Sequence, residues 1–219
     1  PVISYDATHM LFTGQLKQND KWQVWEMDLG SLKSRQITTS TENCADPAYL
    51  PNGRIIYSKQ ELNDSLKAEH SLFTCNIDGS ENKRITFNPS AYFASNILMD
   101  GRVLALGKQV YPQLGDQMFM VMRPDGTKAE MFYNGVAESI ILTKARETAD
   151  GKMVFIESKD SLNKSGKLIS ITYNRPLHSR IDLASGIEGD FLSVFPETSQ
   201  KFLVSYRKAV SEKFSLYEF

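Results

Sequence analysis

The chain has 219 residues and a formal net charge of −1, with 41% hydrophobic and 11% aromatic residues. That length suits a single domain, 1–219, and so even a charge balance sets up no basic field to draw nucleic acid or anionic lipid. No apolar run reaches the ~18 residues that a membrane-spanning helix needs, and two cysteines with three scattered histidines do not supply the short-spaced ligand sets of a zinc site.

Taken in order, the chain reads as successive units of short strands. The first unit, about 1–43, starts mid-strand at Pro1, turns at Asp6-Ala7, and continues in strands 9–13, 23–28 and 33–38. The second, 44–90, has strands 45–50, 54–59, 71–77 and 82–87, with a turn at Asn52-Gly53. The third, 91–137, has strands 92–98, 102–106, 117–123 and 128–133 around Asp100-Gly101. The fourth, 138–187, has strands 139–144, 152–157, 167–173 and 178–183 around Asp150-Gly151. The fifth, 188–219, supplies strands 191–195, 201–206 and 214–219 around Ser199-Gln200 and lacks a fourth strand.

Asn-Gly and Asp-Gly pairs favour hairpins because glycine accepts positive φ without a steric penalty. The runs beside them, RIIYS, RVLAL, KMVFI and KFLVS, are β-branched and aromatic. Several are apolar on both faces, as in a sheet packed between two others. A bulky residue marks each third strand: Trp25, Phe73, Met120, Ile169 and Tyr217, spaced 48, 47, 49 and 48 residues apart. Of these, Trp25 and Phe73 are expected to pack between blades. Four strands repeating at this period indicate an all-β propeller of four-stranded antiparallel blades. Five blades with an incomplete last one is the first reading, and a fragment of a six- or seven-bladed ring is the alternative.

The units resemble the TolB-like propeller repeat, a WD-repeat-like family of bacterial envelope proteins. The likeness rests on Pro47 to Gly53, Ile55-Ile56-Tyr57-Ser58, Trp25-Glu26-Met27-Asp28, Arg35-Gln36-Ile37-Thr38 and Arg84-Ile85-Thr86. It covers nearly the whole chain and is clearest in the first three units. It implies a periplasmic or outer-membrane-associated protein. It does not imply an activity, because propellers host many functions. No signal peptide is legible, and a first residue that is Pro rather than Met reads as a processed or excised form.

Cys44 and Cys75 fall two strands apart in one blade, about 9.6 Å at ~4.8 Å per strand, beyond the ~7 Å between Cα atoms that a disulfide allows. Both are expected as free thiols. No nucleophile elbow, phosphate loop or EF-hand pattern is present, so no cofactor or metal is expected. Asp46, Glu138 and Asp190 fall near the starts of first strands, with Tyr92 in the related place of the third unit. In a propeller these starts ring one mouth of the central channel, where acids could bind a cation or basic peptide or act as acid and base. The loops joining second and third strands, 60–70, 107–116 and 158–166, lie on that face, and Tyr111 and Leu114 give the second of these an apolar tip. Loops on a rigid scaffold are where binding residues concentrate. The expected function is a non-catalytic interaction or scaffold module with an envelope protein as partner. The alternatives are the propeller domain of a lyase, glycosidase or peptidase, and a carbohydrate or small-ligand binder.

Overall fold

The structure, a computed structural model, describes every residue except 62–68, 88–89, 111–112, 161 and 163. The fold is all-β: five antiparallel sheets, the blades of a five-bladed β-propeller. Blade 1 holds β1 (Val2–Ile3), β2 (His9–Gly14), β3 (Gln23–Asp28) and β4 (Ser34–Gln36). Blade 2 holds β5 (Cys44–Tyr49), β6 (Arg54–Glu61), β7 (Glu69–Asn76) and β8 (Lys83–Arg84). Blade 3 holds β9 (Ser90–Ile97), β10 (Val103–Gln109), β11 (Gln117–Met122) and β12 (Glu130–Tyr133). In blade 4 the first strand is broken into β13 (Ile140–Ile141) and β14 (Arg146–Glu147), both paired with β15 (Lys152–Ser158), followed by β16 (Lys167–Thr172) and β17 (Ile181–Asp182). Blade 5 has β18 (Asp190–Pro196), β19 (Phe202–Arg207) and β20 (Ser215–Glu218). Among the described residues no helix is long and apolar enough to cross a membrane.

The three glycine hairpins form where expected, each as a three-residue loop. Leu50 N donates to Arg54 O and Gly53 N to Leu50 O, and the same pair of bonds recurs at Leu98–Arg102 and Thr148–Lys152. The glycine closes the loop at positive φ, 75°, 83° and 79° in turn, as in a type I turn followed by a left-handed residue. Fourth strands are shorter than the sequence suggests. Thr38 and Thr86 explain the shortening: their hydroxyls accept the Val24 and Leu72 amides at 2.9 Å, so a side chain replaces the backbone carbonyl that would extend the ladder.

The chain divides into two compact units, 1–115 with 121–130, and 116–120 with 131–219. In the first unit, Leu11, Val24 and Ile37 of blade 1 pack on Tyr49, Ile55, Tyr57, Phe73 and Cys75 of blade 2. In the second, Val154, Ile156 and Leu168 of blade 4 pack on Phe191, Val194, Phe202 and Val204 of blade 5. Ile55, Ile56 and Tyr57 are all fully buried, which accounts for a strand apolar on both faces.

The bulky third-strand markers divide. Phe73 is buried and stacks on Tyr57 with centroids 6.1 Å apart, and Ile169 is fully buried. Trp25 and Met120 are half-buried. Tyr217 is 51% exposed, on β20 at the edge of its sheet. Phe73→Ala should cost about 3–5 kcal/mol through lost transfer energy and an unfilled cavity, read as a shift in the urea midpoint at unchanged slope.

Cys44 and Cys75 are free and buried, as the strand spacing requires. Both should react quantitatively with a thiol reagent in denaturant without reductant. Burial pushes the Cys75 thiol up from 9.0 to about 11. A thiol raised in the folded state contributes stability that is complete below its unfolded pKa and is lost as pH rises through the folded value. Cys75→Ala should therefore flatten the fall in urea midpoint between pH 9 and about 11 relative to the wild type. An unchanged slope would show that the thiolate is as well solvated folded as unfolded.

Candidate functional site

The first-strand residues singled out from sequence meet different fates. Asp46 sits in a β-bulge of β5, where Asp46 and Pro47 share the place opposite Tyr57, at φ 51°. The bulge turns its carboxylate onto blade 3. Oδ2 accepts the Ala94 amide at 3.0 Å, and the Asp46 carbonyl accepts the Ser95 hydroxyl at 3.1 Å. Tyr92 is 1% exposed within β9, so its ring is part of the core. Glu138 is exposed at φ 62° and lines a shallow hollow of about 440 Å³ with Asp116, Asn134 and Lys159. Asp190 begins β18 and accepts Arg207 Nη2 at 3.2 Å; that guanidinium also lies 4.6 Å from the Phe214 ring centre. Leu114 is 75% exposed. Tyr111 lies outside the described residues. Asp46 and Asp190 are thus engaged in internal bonds.

The loops joining second and third strands carry a pattern that the sequence reading noted only at 107–116. Each such loop in blades 1, 3, 4 and 5 bears an exposed aliphatic residue: Leu16, Leu114, Leu162 and Val210, from 69% to 89% exposed. The loop of blade 2 lies largely outside the described residues. In three of these loops the acid is turned inward on its own backbone. Asp20 accepts the Lys17 amide at 2.9 Å, Asp160 the Leu162 amide at 2.9 Å, and Glu212 the Lys208 amide at 3.3 Å. The lysines beside the aliphatic tips, Lys17, Lys164, Lys208 and Lys213, are left facing solvent. Within each unit, then, these loops carry exposed aliphatic tips, with solvent-facing lysines beside them in blades 1, 4 and 5.

Two buried glutamates form constellations that the sequence reading missed. Glu26, 3% exposed, takes Arg35 Nε and Nη2 on Oε2 at 2.9 and 2.5 Å and the Tyr49 hydroxyl of the next blade on Oε1 at 3.0 Å. Glu157, 2% exposed, takes Arg180 in the same way, at 2.9 and 2.5 Å, and the Tyr133 hydroxyl of the preceding blade at 2.8 Å. Burial first, and the neighbouring carboxylate second, hold the Tyr49 and Tyr133 phenols well above their ordinary range. The one signal in the sequence was a glutamate inside an otherwise apolar strand.

Two larger clefts lie elsewhere. One of about 790 Å³ in the first unit is lined by Arg54, Glu81, Lys83, Arg123 and Asp125 on the turn side of blades 2 and 3. One of about 460 Å³ in the second unit is lined by Glu157, Ser165, Lys167, Arg180 and Asp190. Asp182 lines it too; Glu157 and Asp190 each hold an arginine, while Asp182 accepts the Ala184 amide at 3.0 Å. The buried carboxylates Glu26 and Glu157 each accept a tyrosine hydroxyl from a neighbouring blade and so tie blades together. Among the described residues no three His, Cys, Asp or Glu side chains converge to hold a metal ion.

No protein-family model matches the chain, and no curated protein matches it. Solved structures do match its fold. A chain of Kuenenia stuttgartiensis hydrazine synthase superposes with a TM-score of 0.85 at 20% identity, over 100% of this chain and 36% of that one. An oligogalacturonate lyase in complex with manganese gives 0.66 at 12% identity, over 99% of this chain and 63% of that one. TolB from Acinetobacter baumannii gives 0.57 at 14% identity, over 80% and 40%. The chain spans between about a third and two thirds of these proteins' lengths. At such identities the likeness is one of fold, shared by proteins of unrelated function.

Proposed function

We propose that this chain is a non-catalytic interaction module of the TolB-like propeller kind, working in the bacterial cell envelope, and that it binds a protein partner through the loops between second and third strands. The observation that carries this reading is the recurrence of one exposed aliphatic at those loops in four blades, with exposed lysine beside it in blades 1, 4 and 5. Single exposed leucines need no explanation, but the same position exposed blade after blade is a pattern, and loops on a rigid sheet scaffold can present it without distortion. The engaged states of Asp46 and Asp190 weigh against an acid–base centre at the first strands. They also shift the expected partner chemistry. An aliphatic tip with lysine beside it suits an apolar spot flanked by acids on a partner. The periplasmic or outer-membrane setting rests on the TolB-like repeat and on the fold likeness to TolB.

The test is capture of partners from envelope extracts with the wild type and with Leu16→Ser/Leu114→Ser/Leu162→Ser/Val210→Ser. These side chains are exposed, so each change should move stability by no more than about 0.5 kcal/mol. Partner recovery should fall while the melting curve stays in place. Full recovery of every partner by the variant would sink the reading.

A further inference from the structure

Blades 1 and 2 share one register between third and fourth strands. Trp25 faces Gln36 and Glu26 faces Arg35; Phe73 faces Arg84 and Thr74 faces Lys83. Thr74 and Lys83 therefore stand in blade 2 where Glu26 and Arg35 stand in blade 1. In blade 1 the chain fills that place itself. The Glu26 carboxylate takes the Arg35 guanidinium and the Tyr49 hydroxyl of the next blade, and Arg35 Nη2 also donates to the Ile77 carbonyl there at 3.0 Å. In blade 2 the acid is replaced by the shorter, uncharged Thr74. Tyr49 faces Ile55 and Ile97 faces Val103 beside matching hairpins, so the next blade offers Ile97 where Tyr49 stood.

Thr74 and Lys83 instead line the cleft of about 790 Å³, together with Arg123 from the turn between β11 and β12. Leu50, Thr74 and Ile85 are its buried lining, each no more than 5% exposed. The Thr74 hydroxyl bonds to no described residue, and a buried hydroxyl is costly to leave without a partner. Both acids of the cleft are engaged. Glu81 Oε2 accepts Arg54 Nη1 at 3.1 Å, and Asp125 Oδ1 accepts the Thr127 amide at 2.9 Å and hydroxyl at 2.7 Å. Lys83 and Arg123 are exposed, and among the described residues neither cationic head is held in an ion pair or hydrogen bond; Arg123 acts on Asp125 only through space. The cleft thus joins an apolar base to an unpartnered buried hydroxyl and two unpaired cations.

We infer that this cleft binds a small molecule that carries a carboxylate beside an apolar group. The carboxylate takes the place that the Glu26 carboxylate holds one blade earlier, accepts the Thr74 hydroxyl, and has Lys83 and Arg123 as its charged donors. The apolar group rests on Leu50, Ile85 and Pro124. The volume falls within the range of about 300–1,000 Å³ that small-molecule sites occupy. The internal repeat specifies the carboxylate, because blade 1 supplies one from its own third strand and blade 2 does not. Hairpin turns line the cleft, not the loops between second and third strands, so this site and the surface proposed above can be tested apart.

The probe is hydrocinnamate, a carboxylate on a short stem with a phenyl ring, titrated into the isotope-labelled 219-residue chain and followed by amide chemical shifts. Saturable shifts are expected at Thr74, Lys83 and Arg123, with a Kd near 10⁻³ M, roughly what a few charge-assisted bonds leave to so small a ligand. The neutral amide of the same acid should bind about fivefold more weakly or worse. Lys83→Met and Arg123→Gln should each raise the Kd about fivefold or more with the melting curve in place, because both side chains are exposed. Thr74→Glu with Lys83→Arg rebuilds the blade 1 pair inside the cleft and should abolish binding of the probe. The four loop-tip serines should leave it unchanged. Absence of saturable shifts up to about 20 mM, some twentyfold above the expected Kd, would overturn the inference. Equal binding of acid and amide, or wild-type affinity in both cation variants, would overturn it too.

Discussion

Arg180→Ala should lower stability by about 3–5 kcal/mol, the usual cost of removing one partner from a buried ion pair. Glu157 is 2% exposed and holds its charge by three donors: two from Arg180 and the Tyr133 hydroxyl. Without the guanidinium, a buried carboxylate held only by the Tyr133 hydroxyl must stay charged without a counter-ion or take up a proton. The Arg180 side chain is itself 26% exposed, so water entering the gap should hold the loss toward the lower end of that range. Tyr133→Phe removes one of the three donors and should cost about 1–2 kcal/mol. Glu157→Leu with Arg180→Met and Tyr133→Phe removes the charges and the hydroxyl that pairs with them together and should return stability to within about 1 kcal/mol of the wild type. Urea titrations of the four proteins settle the point. A loss below about 1 kcal/mol for Arg180→Ala would mean that the pair is solvated rather than structural.

The contrast between the hairpins and these charge groups shows what a sequence of this kind discloses. A left-handed residue at a turn is a local requirement, so Asn52-Gly53, Asp100-Gly101 and Asp150-Gly151 announce their hairpins within two letters. Strand identity follows from runs of β-branched residues, and the period follows from the recurrence of both. Contacts between blades leave no such trace. Tyr133 and Arg180 lie 24 and 23 residues from Glu157, and only the folded register brings them to one carboxylate. Asp46 shows the same limit. Counting strands put it at the start of a first strand, as the structure does, but the bulge that turns its carboxylate onto Ala94 depends on pairing with β6. The fifth marker, Tyr217, is in register with the others, yet its burial depends on neighbours that periodicity does not supply.

Gly126→Ala should be among the most damaging single changes in the chain. The residue occupies the turn between β11 and β12 at φ 83°, where a Cβ would sit 1.9 Å from the Ile85 carbonyl oxygen and 2.9 Å from its carbon. The equivalent glycine one blade earlier, Gly79, takes φ 84° and would meet the Ile37 oxygen at 2.2 Å. In both cases the obstacle is backbone of the preceding blade, held by the amide bond of Ile85 to Leu72 or of Ile37 to Val24, so it cannot turn aside as a side-chain tip would. The left-handed backbone alone costs an alanine about 1–2 kcal/mol, and relieving the overlap requires one blade to move against another in a close-packed core. A total above about 3 kcal/mol is expected, in the range where single changes point to a specific steric cause. Gly53→Ala isolates the backbone share, because its φ is 75° and nothing lies within 4 Å of the added atom. It should cost only about 1–2 kcal/mol. If the two variants melt together in urea, the close approach of blade to blade at Ile85 is not what requires glycine there, and the turn geometry by itself accounts for the residue.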